Sequence, residues 1–134
     1  MYLFISPQSI SSTDYNKRHQ LTNTTSDFTF ILPSELSLSG EWELGLIEVL
    51  LPRKLNKEIY IYCSAIEWSV LNSEYKPILR IVQQPVSPSQ THYFKVPYTS
   101  LRDITFNVRD SANKKVSLTK IIFILELRRA VKNQ

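Results

Sequence analysis

The stretch DITFNVRD, residues 103–110, alternates apolar and polar side chains without interruption. Ile104, Phe106 and Val108 fall on one face, because successive side chains of a β-strand point to opposite sides. This pattern predicts a strand with one buried face. Residues 110–114 then predict a turn, and residues 120–128 a last strand whose buried face carries four apolar side chains: Ile121, Phe123, Leu125 and Leu127.

The same period of two recurs along most of the chain. It predicts further strands over residues 2–6, 27–32, 41–51, 59–63, 66–71, 78–83 and 91–96. Prolines are expected to end four of these strands, because proline lacks the N–H that a ladder needs; they are Pro7, Pro33, Pro52 and Pro97. Eight strands result, or nine if residues 59–71 divide, and no amphipathic helix is evident. Many short strands in one chain are typical of a sandwich, barrel or jelly roll.

The length and the glycine content limit the function classes. The chain has 134 residues, enough for one domain spanning 1–134. Only two residues are glycine, Gly40 and Gly45, which excludes glycine-rich phosphate loops and the G-x-S-x-G nucleophile elbow. We expect Gly40 to make a turn and Gly45 to mark a close approach within its strand. The single cysteine, Cys63, is predicted to be a buried strand residue.

No group of residues has the spacing of a catalytic or metal-binding motif. His19 and His92 belong to no metal-binding motif, and the pair Glu41 and Glu43 fits a solvated strand face better than a two-carboxylate site. Tyr60 and Tyr62 are compatible with an aromatic stacking strip beside Lys57, although a cross-strand packing row is favoured. We therefore expect no enzyme and no cofactor.

Positive charge is concentrated near the end of the chain. The net charge is +4, and eight of the 16 basic residues but only three of the 12 acidic ones lie in residues 101–134. A basic patch there would suit nucleic acid or an acidic partner, and a solvated strand face is an equal alternative. The patch would comprise Arg109, Lys114, Lys115, Lys120, Arg128 and Arg129.

No segment predicts insertion into a membrane. The apolar start, residues 1–5, is too short for a signal peptide and lacks its basic flank. No stretch approaches the roughly 18 apolar residues of a membrane span.

Two consecutive blocks carry a resemblance to a known family. DFTFILP, residues 27–33, is followed by LSLSGEWELGLIE, residues 36–48. Together they resemble the minor capsid, or penton, proteins of Maverick/Polinton elements and adintoviruses, in which F-T-x-x-L-P precedes L-x-G-x-W-E-V-G-L-x-E-I. The matching residues here are Phe28, Pro33, Gly40, Trp42, Glu43, Gly45 and Glu48.

Later blocks follow in the family's order. PILRIV, residues 77–82, resembles the strand P-L-L-R-I-V and includes Pro77 and Arg80. ITFNVRD, residues 104–110, resembles I-x-I-x-I-R-D and ends at Asp110. Leucine replaces valine or phenylalanine at several apolar positions of the pattern, and no Arg-Gly-Asp loop is present.

The resemblance implies a single jelly roll of two antiparallel four-stranded sheets. Its first and last strands would be neighbours, bringing Leu3 and Phe4 near Ile122 and Ile124. It further implies a virion protein, assembled inside a host cell, that forms homopentamers at the five-fold vertices of an icosahedral capsid. Outer contacts would be to the trimeric, double jelly-roll major capsid protein. Apart from the resemblance, the basic C-terminal region is a candidate contact for the genome.

Candidate residues for the subunit interface are aromatic or basic and lie near predicted turns or strand ends: Trp68, Tyr75, Tyr93, Tyr98 and Arg102. Two other functions remain open. One is a jelly-roll binding module for a receptor or carbohydrate, which a concave aromatic patch would favour. The other is a basic β-barrel that binds nucleic acid.

Overall fold

The structure, a computed structural model, describes residues 1–5, 26–50, 57–83, 91–116 and 121–130. Ten strands occupy these ranges, and no helix is present among them. The strands are β1 (Tyr2–Ile5), β2 (Asp27–Ser37), β3 (Trp42–Leu50), β4 (Ile59–Cys63), β5 (Ser69–Leu71), β6 (Glu74–Lys76), β7 (Ile78–Val82), β8 (Tyr93–Val96), β9 (Ser100–Arg109) and β10 (Ile122–Arg129).

Eight of the strands form two antiparallel four-stranded sheets. The first sheet has the order β1-β10-β3-β8 and the second the order β2-β9-β4-β7, while β5 and β6 form a separate hairpin. This crossing order is that of a jelly roll, so the predicted fold is confirmed. The first and last strands are neighbours as expected, with Leu3 opposite Leu125 and Phe4 opposite Ile124.

The core lies between the two sheets and is built from the alternating apolar positions. Three rings meet at its centre: Phe28 lies 5.4 Å from Phe106 and 5.8 Å from Phe123, measured between ring centroids. Phe28 and Phe106 belong to the second sheet and Phe123 to the first. The cluster therefore joins the sheets directly, with the offset geometry that aromatic pairs prefer.

The predicted faces of three strands are confirmed. The inward residues of β9, β10 and β4 are all buried: Ile104, Phe106, Val108, Phe123, Leu125, Leu127, Ile59, Ile61 and Cys63. Cys63 is a buried strand residue as predicted, and burial raises the pKa of its thiol to about 12. A thiol with so high a pKa remains protonated and packs as an apolar group.

One expectation about a strand end is wrong, and one strand departs from strict alternation. Pro33 does not end its strand, because β2 runs on to Ser37 after a register shift between Ile31 and Leu36 that accommodates the proline. In β3 strict alternation would put Val49 on the face of Glu43. Instead a bulge beside Ile47 turns Val49 into the core, since Leu46 pairs with Leu125 and Glu48 with Ile124.

The segment 66–76 also differs from prediction. A single strand over 66–71 was expected, whereas β5 and β6 form a hairpin with only Asn72 and Ser73 in its turn. Both residues have positive φ, 51° and 66°. This is the geometry of a type I′ turn, which suits the twist of a hairpin.

Candidate functional site

The β5–β6 hairpin turns its apolar face away from the body of the protein. Val70 and Tyr75 are cross-strand partners and share that face. They are 65% and 72% exposed, and Trp68, just before β5, is 63% exposed. Ordinary amphipathic elements bury such residues. The exposed strip of Trp68, Val70 and Tyr75, called the hairpin strip below, is therefore a candidate contact surface.

The hairpin is held at its base to both sheets. The Glu67 amide donates a hydrogen bond of 2.9 Å to the Lys95 carbonyl of β8. The Cys63 amide, at the end of β4, donates one of 3.0 Å to the Pro77 carbonyl. These bonds fix where the strip projects, although a two-stranded hairpin alone is marginally stable in water.

The opposite face of the hairpin carries Leu71 beside polar residues and covers a cleft. Glu74 and Lys76 lie on this face, and the Lys76 amine is 3.2 Å from the Glu74 carboxylate. The floor of the cleft carries Tyr60 and Tyr62, on the outer side of the second sheet. The cleft has a volume of about 290 Å³ and is bounded at its far end by residues 110–113. The two tyrosines of β4 thus line a cavity.

The outer face of the first sheet carries a compact network around Tyr93. The Tyr93 hydroxyl donates a hydrogen bond of 2.5 Å to Glu126. The Arg128 guanidinium lies 3.4 Å from the centre of the Tyr93 ring and donates a hydrogen bond of 2.7 Å to Glu43. Desolvation and the bond to Glu126 raise the pKa of Tyr93, and the bond to Glu43 raises the pKa of Arg128. Each ionisable group in this network therefore has a partner within the chain.

Gly45 makes this network possible. A Cβ atom on Gly45 would lie 2.8 Å from Cδ1 of Tyr93 and 2.9 Å from Cγ2 of Thr91. Such contacts are too close, so the ring of Tyr93 can lie over the strand only because residue 45 has no side chain. The expected close approach is confirmed. The expected turn at Gly40 is also confirmed, with φ of 87°.

A groove on the same face is lined in part by this network, through Tyr93 and Glu126. It has a volume of about 420 Å³, and its apolar lining comes from Tyr2, Phe4, Ile47 and Ile124. Phe4 is 66% exposed and Tyr2 59%. Because β1 is an edge strand, the part of the groove that Tyr2 and Phe4 line lies at the margin of the sheet. This face, called the edge groove below, is a second candidate contact surface.

The residues that match the family pattern occupy mainly structural positions. Trp42 donates from its indole nitrogen to the Ser39 carbonyl at 3.0 Å, beside the turn at Gly40. The Asp110 carboxylate accepts hydrogen bonds from the Ala112 and Lys114 amides and so shapes its turn. The others are distributed over the fold: Phe28 in the core, Pro33 exposed on β2, Glu43 in the Tyr93 network, Gly45 beneath Tyr93, Glu48 lining the edge groove, Pro77 before β7 and Arg80 within it.

The basic residues do not form one patch among those described. Arg109 and Lys115 converge on Asp27, at 2.6 and 3.1 Å, and Lys114 is exposed in the neighbouring turn. Arg128 and Arg129 lie at the other end of the sandwich, since they pair with the start of β3, and Arg129 is 5.5 Å from the centre of the Trp42 ring. Lys120 lies outside the described residues.

Four of the five interface candidates are exposed, and the fifth takes part in a network within the chain. Trp68 and Tyr75 lie on the hairpin strip, and Tyr98 is exposed in the connection between β8 and β9. Arg102 is exposed on β9, whereas Tyr93 is engaged in the network of the first sheet. Reasoning from the sequence missed Val70, Tyr2 and Phe4. For Val70 the signal was alternation around Asn72-Ser73, which is weaker than the Asn-Gly pair of typical hairpins.

The described ranges hold neither a metal-binding cluster nor a membrane-spanning helix. No group of three or more histidine, cysteine, aspartate or glutamate side chains is placed to hold a metal ion. No helix among these residues is long and apolar enough to cross a membrane.

The fold places the chain in the class of all-β jelly-roll sandwiches. No protein-family model, curated protein or solved structure matches it.

Proposed function

We propose that the chain is a viral structural protein of the penton type, which forms homopentamers at the five-fold vertices of an icosahedral capsid. The observation that carries the proposal is the pair of exposed apolar surfaces. The hairpin strip projects on the side of the second sheet, and the edge groove is sunk into the outer face of the first. The sequence blocks that resemble penton proteins support the same conclusion.

A protruding surface on one face and a concave one on the opposite face suit head-to-tail contact between copies. In such a contact the hairpin strip of one copy enters the edge groove of the next. A heterologous interface of this kind closes into a ring when the rotation between copies divides a full turn. A ring of five is the arrangement that a five-fold vertex requires.

The aromatic content of the two surfaces suits a stable interface. Trp68 and Tyr75 on one side would meet Tyr2 and Phe4 on the other. Aromatic side chains bury roughly 150–250 Å² each, so these four supply a large part of the about 1,000 Å² that a specific interface needs. Trp and Tyr are also the residues that most often dominate binding energy at interfaces.

The remaining partners follow from the same proposal. The outer rim of the ring would contact the trimeric major capsid protein, and the basic C-terminal region would contact the genome in the virion. A purely nucleic-acid-binding function has weaker support, because Arg109 and Lys115 pair with Asp27 and Arg128 pairs with Glu43. These internal ion pairs reduce the positive charge offered to phosphates.

Light scattering of the full chain over a concentration series tests the proposal. We expect a species of five times the 15.6 kDa chain mass. The variant Trp68→Ser/Tyr75→Ser should reduce it to a monomer with an unchanged far-ultraviolet spectrum. Ile81→Thr is the matched control, because Ile81 is exposed on β7 but belongs to neither surface; it should leave the mass unchanged.

Two results would contradict the proposal. One is a chain that stays monomeric throughout the series and is absent from purified particles. The other is an oligomer whose mass is the same for the hairpin variant as for the natural chain, since the ring would then use other surfaces.

A further inference from the structure

The cleft beneath the hairpin has the features of a small-molecule site. Its volume of about 290 Å³ is close to the lower end of the range for ligand pockets, about 300 Å³. Its walls come from three separate parts of the fold: β4, the β5–β6 hairpin and the turn after β9. Each of the three is held by its own hydrogen bonds, so the cavity is present before any ligand arrives.

The floor of the cleft offers flat apolar surface. Tyr60 and Tyr62 lie two residues apart on β4 and therefore point to the same side of the sheet. Both are half-buried. A tyrosine presents an apolar ring together with a polar hydroxyl, and this combination suits a ligand with one apolar face and several polar groups. The Lys76 amine lies 5.7 Å from the centre of the Tyr62 ring, which leaves Tyr60 as the freer platform.

The rim of the cleft offers amide groups from two turns. Asn72 closes the hairpin and Asn113 lies in the turn after β9; both line the cleft, and both have positive φ, 51° and 62°. Asparagine tolerates this backbone conformation better than most residues. Each side-chain amide can donate and accept hydrogen bonds, so the two turns present the mixed donors and acceptors that hydroxyl groups need.

The charges at the cleft compensate each other. Glu74 pairs with Lys76 at 3.2 Å, and Asp110 pairs with Lys57 at 3.6 Å. A site with balanced charges has no net attraction for an anion or a cation. The cleft therefore lacks the surplus positive charge that would hold a phosphate, so a nucleotide is a poor occupant.

We propose that this cleft binds a neutral hexopyranose, free or as the terminal residue of a glycan. The sugar ring would stack on Tyr60, and its hydroxyl groups would exchange hydrogen bonds with Asn72 and Asn113. The inference concerns the single chain and does not depend on how copies assemble. It adds a binding function that a purely architectural protein does not need.

Saturation-transfer NMR with the full chain and a panel of neutral methyl hexopyranosides tests the proposal directly, because the method tolerates a large assembly. With so few contacts we expect a dissociation constant on the order of 1 mM for the preferred sugar. Transfer should be strongest to the protons of the sugar face that stacks on the tyrosine.

Glycine substitutions at the turns separate binding from folding. Asn72→Gly/Asn113→Gly removes both amides but keeps residues that adopt positive φ readily, so the fold should persist and affinity should fall about tenfold, as loss of two hydrogen bonds to hydroxyl groups implies. Ser73→Gly is the matched control. Ser73 also has positive φ, 66°, but does not line the cleft, and its variant should bind as the natural chain does.

Three outcomes would overturn the inference. The first is no transfer to any neutral sugar at tens of millimolar. The second is equal binding by the two-asparagine variant and the natural chain, since the sugar would then lie elsewhere. The third is stronger binding of a nucleotide or an acidic sugar than of every neutral one.

Discussion

Two cross-strand pairs in this protein have similar chemistry and opposite environments. Ile61 of β4 lies opposite Val108 of β9, and both are completely buried between the sheets. Val70 of β5 lies opposite Tyr75 of β6, and both are among the most exposed apolar residues described. The first pair is stabilised by the opposite sheet, whereas the second remains exposed.

The difference shows that strand pairing alone does not indicate whether an apolar face is buried within the chain or left exposed for contact with another molecule. Alternation produces an apolar face in both regions. Burial of that face contributes roughly 25 cal/mol per Å² only where a second layer covers it. The apolar face of the hairpin is not covered in this way. Contact with another molecule would bury it and give the same gain in free energy per Å².

The largest effect is expected at the centre of the core. Phe106→Ala removes one ring of the three that join the sheets and leaves a cavity, which should lower the free energy of unfolding by about 3–5 kcal/mol. Urea unfolding of both proteins measures the difference. A loss below about 1 kcal/mol would mean that Phe106 is not held between the sheets. Phe106→Leu, which retains most of the volume, should lose less than half as much.

An intermediate effect is expected on the outer face of the first sheet. Gly45→Ala places a methyl group 2.8 Å from the Tyr93 ring, which must move away from Glu126. We expect a loss of about 1–3 kcal/mol by thermal or urea unfolding. Adding Tyr93→Ala should cancel part of the cost of the methyl group. If the two losses simply add, the ring does not lie over Gly45.

A smaller and pH-dependent effect is expected at Asp27. Burial opposes ionisation of Asp27, but hydrogen bonds from Arg109, Asn107 and Lys115 outweigh it and lower its pKa from 3.8 to about 2. The stabilisation is therefore complete above about pH 4 and is lost as the pH falls towards 2. Asp27→Asn should cost about 1–2 kcal/mol at neutral pH.

Urea unfolding at several pH values checks the sign of this effect. The difference between Asp27→Asn and the natural chain should shrink as the pH falls from 5 to 2. Glu35→Gln is the matched control, because Glu35 is exposed on the same strand, and its difference should stay near zero. If the difference in unfolding free energy between Asp27→Asn and the natural chain grows as the pH falls, the ion-pair network is contradicted.

The smallest effect on stability is expected on the hairpin. Tyr75→Thr keeps a strand-forming residue and removes an exposed ring, so the monomer should change by no more than about 0.5 kcal/mol. The measurement is urea unfolding at concentrations where light scattering shows one chain. A loss of 2 kcal/mol would show that Tyr75 packs within its own chain, and the contrast with Val108 would disappear.

Most of the strand content and core could be predicted because alternation is a local property. The inward residues of β9 and β10 follow directly from the period of two, and both strands lie within a residue or two of the expected ends at the turn. Gly40 and Gly45 were also predictable as a turn and a close approach, although the partner of Gly45, Tyr93, is 48 positions away in the sequence.

The errors arose where the sheets impose a register. Proline lacks a donor, yet β2 continues past Pro33 because Leu36 and Ser37 regain pairing with Leu101 and Ser100. The bulge beside Ile47 has a similar origin, since β3 must keep apolar residues inward along its whole length. Neither feature has a local signal, because each depends on a partner strand far away in the sequence.

The candidate surfaces were the least predictable part of the molecule. Trp68 and Tyr75 were identifiable as aromatic residues near a turn, but their exposure depends on which side of the hairpin faces the second sheet. The cleft depends on the meeting of two turns, at residues 72–73 and 110–114, that have no common local pattern. The grouping of basic residues was likewise altered by partners on other strands, namely Asp27 and Glu43.

The order of residues thus specifies an all-β chain, the positions of most strands and the residues of its core, because each of these follows from side-chain period and turn chemistry over a few neighbours. The three-dimensional packing alone decides which apolar faces remain open, which charges are paired and where a cavity forms. These properties depend on contacts between residues far apart in the chain, and the surfaces proposed for assembly and for sugar binding are defined by them.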